Sequence, residues 1–222
     1  MRLVVASLKG GVGKTTACVY IAAVAAKGRR SVRLVDADPQ GSSASWLEES
    51  PIPGVEVVEA PSERLVSRAL DVGDDEIVIV DTPPGSERLT ATALKLADVV
   101  VIPTRVGGVE PARVLATVSL IPDQVPRGLV ISSARPYTRD FREAVDYWTA
   151  EEFALWGVIP ERVGIAAGPG SDLHADGLEA AAALWRKATR ASRKSAGGGA
   201  QPVGGDSEGQ GRSTWSRIFG TG

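Results

Sequence analysis

The sequence has little of what covalent cross-links and soft-metal sites require. Its 222 residues contain one cysteine, Cys18, and one histidine, His174. A single cysteine excludes a disulfide within the chain, and it cannot assemble a cysteine-ligated metal or iron–sulfur cluster. We therefore expect Cys18 to be a small buried residue of a helix and His174 to lie in a loop or at a helix start. Any bound metal is expected to take oxygen ligands.

Long apolar runs are missing as well. No apolar stretch approaches the ~20 residues that a helix needs to cross a bilayer. The first residues lead directly into a strand-like run and do not resemble a secretory signal, so a cytoplasmic location is expected. Hydrophobic residues make up 43% and charged residues 23% of the chain, with a formal net charge of −2. These values are ordinary for a soluble globular protein.

Alternating apolar patterns predict the fold class. The sequence predicts strands at Arg2–Leu8, Ser31–Asp36, Val55–Glu59, Glu76–Asp81, Asp98–Pro103, Gly128–Ser132 and Arg162–Ile165. Helical patterns lie between them at Lys14–Lys27, Ser62–Leu70, Ser86–Ala97, Glu110–Ile121, Arg139–Trp156 and Ala175–Ser192. This alternation predicts an α/β fold with a doubly wound, mostly parallel sheet and helices on both faces.

A glycine-rich turn follows the first predicted strand. Residues 9–16 read Lys-Gly-Gly-Val-Gly-Lys-Thr-Thr. The glycines let successive backbone N–H groups point at phosphate oxygens from the start of the next helix. Lys14 would then reach the β- and γ-phosphates, and the Thr15 hydroxyl would bind Mg²⁺. The predicted triphosphate site consists of Lys9, Gly10, Gly11, Val12, Gly13, Lys14, Thr15 and Thr16.

The turn departs from the standard phosphate-loop pattern G-x-x-x-x-G-K-[ST] at its first position. Leu8 stands where the first glycine belongs, and an additional lysine, Lys9, follows it. The rest of the pattern is present, and a strand precedes it while a helical pattern follows it. This context predicts a nucleotide site rather than a purely structural loop.

Two acids end neighbouring strand-like runs. Asp36 ends the first of these runs and is followed by Asp38, and Asp81 ends the second. Ligands of open parallel sheets lie beyond the carboxyl ends of the strands, so these acids should face the phosphate loop. Asp81 is the expected Mg²⁺ carboxylate, either directly or through water, and Asp36 or Asp38 could polarise a water against the γ-phosphate. Alternatively, Asp38 or Asp81 follows its strand only to cap the next helix.

Together these segments resemble a known family. Lys9–Thr16 looks like the deviant Walker A motif of the ParA/MinD group, and Asp36–Ser42 looks like its D-x-D-P-Q-x-S segment. Ile77–Gly85 looks like its Walker B segment with D-x-P-P-G. The resemblance extends over about residues 1–185. It is closest to ParA-type partition ATPases that lack an N-terminal DNA-binding domain.

The resemblance implies a Mg²⁺-dependent ATPase that pairs around ATP. In this family the additional lysine, here Lys9, crosses to the partner subunit's phosphates, and the catalytic set would be Lys9, Lys14 and Asp36. Asp36 would orient the attacking water and join Thr15 and Asp81 at the metal. A cation delivered by the second subunit stabilises charge only after docking. Hydrolysis is therefore expected to be slow until DNA or a ParB-like adaptor protein stimulates it.

A basic stretch ends the predicted domain. Positions 186–194 carry five cations and no acid. Arg186, Arg190, and Arg193 or Lys194 share one helical face that could follow DNA phosphates without reading sequence. The resemblance favours this interpretation because ParA-type dimers bind nucleoid DNA non-specifically. The alternative is a solvated helix end whose cations complement the helix dipole.

The composition divides the chain into three parts. Residues 1–194 are predicted to form an ATPase domain, and residues 195–211 a flexible Gly- and Ser-rich linker. Residues 212–222 are predicted to be a short amphipathic segment. On a helix, Trp215, Ile218 and Phe219 would share one face. This segment could touch a membrane, as tails of MinD-type relatives do, could bind a protein partner, or could do neither.

The leading hypothesis is a ParA-like ATPase that positions a plasmid, a chromosome or another cargo. A MinD-like membrane-cycling regulator is the second, and a metabolic P-loop reductase or ligase is the third. The scarcity of cysteine argues against the reductase. Lys9 and the D-x-D-P-Q segment argue against the ligase.

Overall fold

The computed structural model describes residues 1–28, 30–73, 75–106 and 110–197, without the side chain of Glu110. Seven strands form one sheet in the order β3-β2-β4-β1-β5-β6-β7, and every pairing between neighbours is parallel. The strands are β1 Arg2–Val5, β2 Val32–Asp36, β3 Val55–Glu59, β4 Ile77–Asp81, β5 Val99–Thr104, β6 Arg127–Ala134 and β7 Leu155–Pro160. The helices are α1 Lys14–Ala25, α2 Ser42–Glu49, α3 Glu63–Ala69, α4 Glu87–Lys95, α5 Glu110–Val118, α6 Arg139–Ala150, α7 Val163–Ala166 and α8 Ala175–Gly197.

Apolar side chains cover both faces of the sheet. Along β4, Ile77 and Ile79 pack in one core with α1 and α8. Val78 and Val80 pack in a second core with α3, α4 and α6. Because successive side chains of a strand point to opposite faces, a continuous run of Ile and Val supplies both cores. The predicted doubly wound α/β fold is confirmed.

The prediction was wrong near β7. The predicted strand at Arg162–Ile165 is instead the short helix α7, and the strand is Leu155–Pro160. The helix predicted to reach Trp156 ends at Ala150. Two residues further on, Glu152 takes a positive φ of 58°. Trp156 then packs against Gly128, where a Cβ would lie 2.1 Å from the indole ring. These two residues are far apart in the sequence, so the apolar pattern along the chain could not predict their contact.

Helix α2 was not predicted. Three of its first four residues are serine, which has a weaker intrinsic helix propensity than alanine or leucine. The Asp36 carboxylate accepts the Ala44 N–H at 2.9 Å and so satisfies a donor of the first turn. The short helix is therefore stabilised by the end of β2 rather than by its own composition.

Helix α8 packs along α1 and carries the basic stretch. The Tyr20 hydroxyl accepts the His174 N–H at 3.0 Å, and His174 Nδ1 accepts the Asp176 N–H at 3.1 Å. Gly177 allows this close packing, since a Cβ there would lie 2.3 Å from the Tyr20 ring. His174 thus lies at a helix start, and Cys18 is fully buried in α1, as expected.

Helix α8 continues through Gly197, so its last three residues fall in the segment predicted as a linker. The rest of that segment lies outside the described residues. The same holds for the terminal segment with Trp215, Ile218 and Phe219. Within the described ranges, no helix combines the length and the apolarity that crossing a membrane requires.

Candidate nucleotide site

The phosphate loop joins β1 to α1 at the carboxyl edge of the sheet. In the sheet β1 lies beside β4, and β4 lies beside β2, with Asp36 paired in register with Asp81. Gly11 and Gly13 have φ of 70° and 86°, in the left-handed region that side chains with a Cβ avoid. Helix α1 begins directly after Gly13, so its first N–H groups face the same edge as the two acids.

Lys14 lies inside the loop. Its side chain is buried, with 6% of the residue exposed, and Nζ donates a hydrogen bond to the Lys9 carbonyl at 2.9 Å. Burial lowers the pKa of Lys14, while the charges of Asp81 and Asp38 raise it. An ammonium group held in this way places positive charge where the loop would surround phosphates.

The Asp81 carboxylate accepts hydrogen bonds from two hydroxyl groups. Its Oδ2 accepts hydrogen bonds from Thr15 Oγ1 at 2.7 Å and from Ser43 Oγ at 2.6 Å. Its Oδ1 is buried and has no hydrogen-bond partner among the described residues. Burial raises the pKa of Asp81 to about 6, although both hydroxyl donors and the Lys14 charge oppose the shift.

This donor set fits Mg²⁺. A buried carboxylate oxygen without a donor, beside a threonine hydroxyl, offers the oxygen ligands that Mg²⁺ prefers. The described residues contain no group of three or more acidic, cysteine or histidine side chains that could hold a metal alone. Phosphate oxygens and water would therefore supply the other ligands, as is usual for Mg²⁺ bound with a nucleotide. When bound, the ion would supply positive charge against the phosphates.

Asp36 holds the loop between β2 and α2. Its Oδ1 accepts the Asp38 N–H at 3.0 Å, and its Oδ2 accepts the Ala44 N–H at 2.9 Å. Burial raises the pKa of Asp36, and the backbone donors oppose that shift. Both oxygens thus bind backbone amides, and one of these, the Ala44 N–H, belongs to the first turn of α2.

Asp38 has a different environment. It is half-buried, and its Oδ1 accepts the Gln40 N–H at 3.0 Å. Its charge acts on Lys14 of the phosphate loop. Of the two acids in this segment, Asp38 is the one with a carboxylate oxygen that makes no hydrogen bond to the described backbone.

Several hydroxyl groups at the site were not predicted. Ser43 binds Asp81, Ser132 Oγ donates to the Val12 carbonyl, and Thr117 Oγ1 accepts the Leu8 N–H at 3.2 Å. Ser43 directly follows the D-x-D-P-Q-x-S segment, so its position offered a signal. Ser132 and Thr117 are isolated residues of β6 and α5, and no pattern marks them.

The remaining predicted loop residues surround Lys14. Lys9 is half-buried, and its N–H donates to Ser7 Oγ at 3.4 Å. Val12 is buried, whereas Gly10 and Gly11 are exposed. Thr16 lines a cleft of about 130 Å³ together with Gly13, Arg105, Ser132, Ser133, Pro160 and Glu161.

The basic residues of α8 lie away from this edge. Arg186, Arg190, Arg193 and Lys194 are all exposed, and none forms an ion pair with an acid of the described ranges. Near the end of α8, Ser195 Oγ donates to the Gln124 carbonyl, close to where β6 begins. The cations therefore continue toward the amino edge of the sheet, opposite the phosphate loop.

Strand β1 passes through a glycine-rich turn into a helix that begins with Lys-Thr, and an acid lies on the neighbouring strand. This arrangement defines a P-loop nucleotide-binding protein. Residues 3–175 match the sequence model of the CobQ/CobB/MinD/ParA nucleotide binding domain, and the chain belongs to this family. The predicted family is confirmed.

Curated relatives include positioning proteins. The maintenance of carboxysome distribution protein A of Gloeobacter kilaueensis is 37% identical over 142 residues, covering 62% of this chain and 64% of that protein. The chromosome-partitioning ATPase Soj of Thermus thermophilus is 33% identical over 137 residues, covering 47% of this chain and 54% of Soj. The matches thus span between about half and two thirds of these relatives.

Solved structures show the same fold. A plasmid partition protein of Borrelia burgdorferi bound to AMPPNP gives a TM-score of 0.67 at 19% identity, covering 83% of this chain and 95% of that one. The cobyrinic acid a,c-diamide synthase of Mycobacterium smegmatis, with an ATP analogue and magnesium, gives 0.62 at 23% identity, covering 86% and 95%. Partition proteins and a biosynthetic enzyme share this fold, so function must be argued from the site.

Proposed function

We propose that the protein is a ParA-type ATPase that positions a cargo by cycling between an ATP-bound dimer on DNA and an ADP-bound monomer. The observation that carries this proposal is the connection between the segment 36–44 and the metal site. The hydroxyls of Ser43 and Thr15 both donate to Oδ2 of Asp81, and Asp36 accepts the N–H groups of Asp38 and Ala44 within the segment. Binding of Mg²⁺ and a triphosphate at Thr15 would therefore act directly on this segment.

The same connection favours a switching ATPase over a ligase. A segment that responds to the γ-phosphate can change the surface around the nucleotide, which is how nucleotide-dependent switches act. The relatives at 30% identity or more include a carboxysome distribution protein, Soj and ParA. Their names support a positioning role, and the cargo could be a plasmid, a chromosome or a protein compartment.

Each part of the site has a role in the proposed cycle. Lys14 and the loop N–H groups bind the phosphates, and Thr15 and Asp81 hold Mg²⁺. The nucleoside end would lie in the cleft beside Gly13 and Thr16. Lys9 would reach the phosphates of the second subunit, so ATP would be enclosed only in the dimer.

The residue that orients the attacking water is proposed to be Asp38. Backbone amides hold both oxygens of Asp36, which suits a residue that shapes the segment. Asp38 keeps an oxygen free of described backbone donors, and its charge acts on Lys14. The geometry therefore favours the second of the two candidates from the sequence, and the role predicted for Asp36 at the water or the metal stays a prediction.

Pairing is tested by the mass of the protein in solution. Analytical ultracentrifugation should show a dimer with Mg²⁺ and a non-hydrolysable ATP analogue and a monomer with ADP. Lys9→Ala should bind ADP within about twofold of wild type yet stay monomeric, because its ammonium would act only across the interface. An unchanged wild-type mass with the analogue contradicts the proposed function. Equal loss of ADP affinity in Lys9→Ala and Lys14→Ala contradicts the role of Lys9.

DNA binding is proposed to use the exposed cations of α8. The double variant Arg186→Glu/Arg190→Glu should weaken binding of the analogue-bound dimer to random-sequence DNA by about tenfold or more, and should lower the salt slope by roughly two. Fluorescence anisotropy at several salt concentrations measures both quantities.

The matched control for DNA binding is Arg64→Glu/Arg68→Glu, which reverses two exposed charges at the same spacing on α3. This control should bind DNA like wild type. Similar losses in both double variants would indicate a net-charge effect and would remove α8 as the DNA surface. Stimulation by a ParB-like adaptor and a nucleoid location follow from the same proposal.

A membrane-cycling function of the MinD type would depend on Trp215, Ile218 and Phe219. These residues lie outside the described ranges, and no observation in the described part favours that function. Co-sedimentation with anionic lipid vesicles, compared between wild type and a Trp215→Ala/Phe219→Ala variant, distinguishes it from the DNA-based cycle.

A further inference from the structure

We propose that Thr117 of α5 is a positioning residue for Lys9, acting through the backbone of Leu8. The proposal deepens the function above, and it rests on that function where it assigns Lys9 to pairing. Thr117 is fully buried near the end of α5. It lies 109 residues from Leu8 in the sequence, yet its side chain contacts the start of the phosphate loop.

The hydroxyl group of Thr117 has a defined orientation. Its O–H donates to the Arg113 carbonyl at 2.8 Å, one helical turn earlier. A threonine hydroxyl has one proton to donate and two lone pairs to accept with. The lone pairs are therefore left to accept the Leu8 N–H, which lies 3.2 Å away.

The Leu8 N–H connects the start of the loop to α5. The last sheet-type hydrogen bond of this segment joins the Ala6 N–H to the Val101 carbonyl at 3.0 Å. Beyond it the chain leaves the sheet, and the Leu8 N–H then donates to Thr117 of α5. Leu8 is itself buried, and a buried N–H left without an acceptor costs about 1–3 kcal/mol.

Lys9 directly follows Leu8, whereas Lys14 lies at the far end of the loop. The Lys9 N–H donates to Ser7 Oγ at 3.4 Å, which is long for a hydrogen bond. Lys14 is the first residue of α1, and the following helix holds its backbone. At the far end of the loop, Ser132 of β6 binds the Val12 carbonyl. Thr117 and Ser132 thus attach the loop at opposite ends, and Thr117 is the attachment next to Lys9.

The test uses Thr117→Val in the full chain, which replaces the hydroxyl with a methyl group of similar size. Thr117→Ser keeps the hydroxyl. Thr90→Val is the matched control, because Thr90 of α4 is equally buried and its hydroxyl has no hydrogen-bond partner among the described residues. Hydrogen exchange of residues 7–10 in the nucleotide-free protein is measured by mass spectrometry, alongside ADP affinity and dimerisation with an ATP analogue.

Thr117→Val should speed exchange of the Leu8 amide by about tenfold, as expected when a hydrogen bond worth roughly 1.4 kcal/mol is lost. ADP affinity should stay within about twofold, while the dimerisation constant with the analogue falls about tenfold. Thr117→Ser should restore both values, and Thr90→Val should leave both at the wild-type level.

Unchanged exchange at Leu8 in Thr117→Val would overturn the proposal. So would equal losses of ADP affinity, dimerisation and melting temperature, which would indicate a general structural role. Failure of the wild-type protein to dimerise would refute the proposed function separately. In that case the exchange data would still decide whether Thr117 holds the loop beside Lys9.

Discussion

Lys14→Ala is expected to lower the affinity for ADP and for ATP about a hundredfold or more, because it would remove a charged donor from the buried site proposed for the phosphates. Only 6% of Lys14 is exposed, and its Nζ already points into the loop at the Lys9 carbonyl. An ion pair in such a poorly hydrated position is screened much less than one at the surface. Isothermal titration calorimetry with each nucleotide measures the effect.

The melting temperature separates this binding effect from unfolding. Burial disfavours the Lys14 charge, as its lowered pKa shows, so the nucleotide-free variant should melt close to wild type. Lys27→Ala is the control, since Lys27 is exposed just beyond the end of α1 and should not alter affinity. Wild-type ADP affinity in Lys14→Ala would show that the phosphates bind elsewhere.

Asp38→Ala is expected to reduce ATP turnover about a hundredfold or more while the protein still binds ATP and still pairs. The expectation follows from geometry, because Asp38 keeps a carboxylate oxygen that no described backbone donor binds. Without hydrolysis the dimer should persist with ATP itself, not only with an analogue. Steady-state phosphate release and ultracentrifugation with ATP measure the two effects.

Asp36→Asn provides the contrast. The two N–H donors at Asp38 and Ala44 would lose a charged acceptor, at a cost of about 1–3 kcal/mol. We therefore expect a lower melting temperature and weaker pairing together with lower turnover. If Asp36→Asn instead keeps its melting temperature and pairs normally but loses only turnover, the water-orienting role belongs to Asp36.

The order of strands and helices along most of the chain could be predicted from local patterns. A run of Ile and Val such as Ile77–Val80 is typical of a strand covered on both faces, and Gly11 and Gly13 mark a loop that adopts left-handed conformations. The errors occurred where tertiary contacts outweighed local preference. Trp156 joins a strand because it packs on Gly128, and α2 forms because Asp36 binds its first turn.

The amino-acid sequence by itself determined the phosphate loop, the two acids and the parallel sheet, because these features depend on backbone conformations and apolar periods that neighbouring residues encode. Only the tertiary structure decided which group each acid binds. Asp36 takes the amides of its own segment, Asp81 takes the hydroxyls of Thr15 and Ser43, and Thr117 reaches Leu8. A hydrogen bond depends on a distance in space, and strand register and helix packing set that distance between residues far apart in the chain.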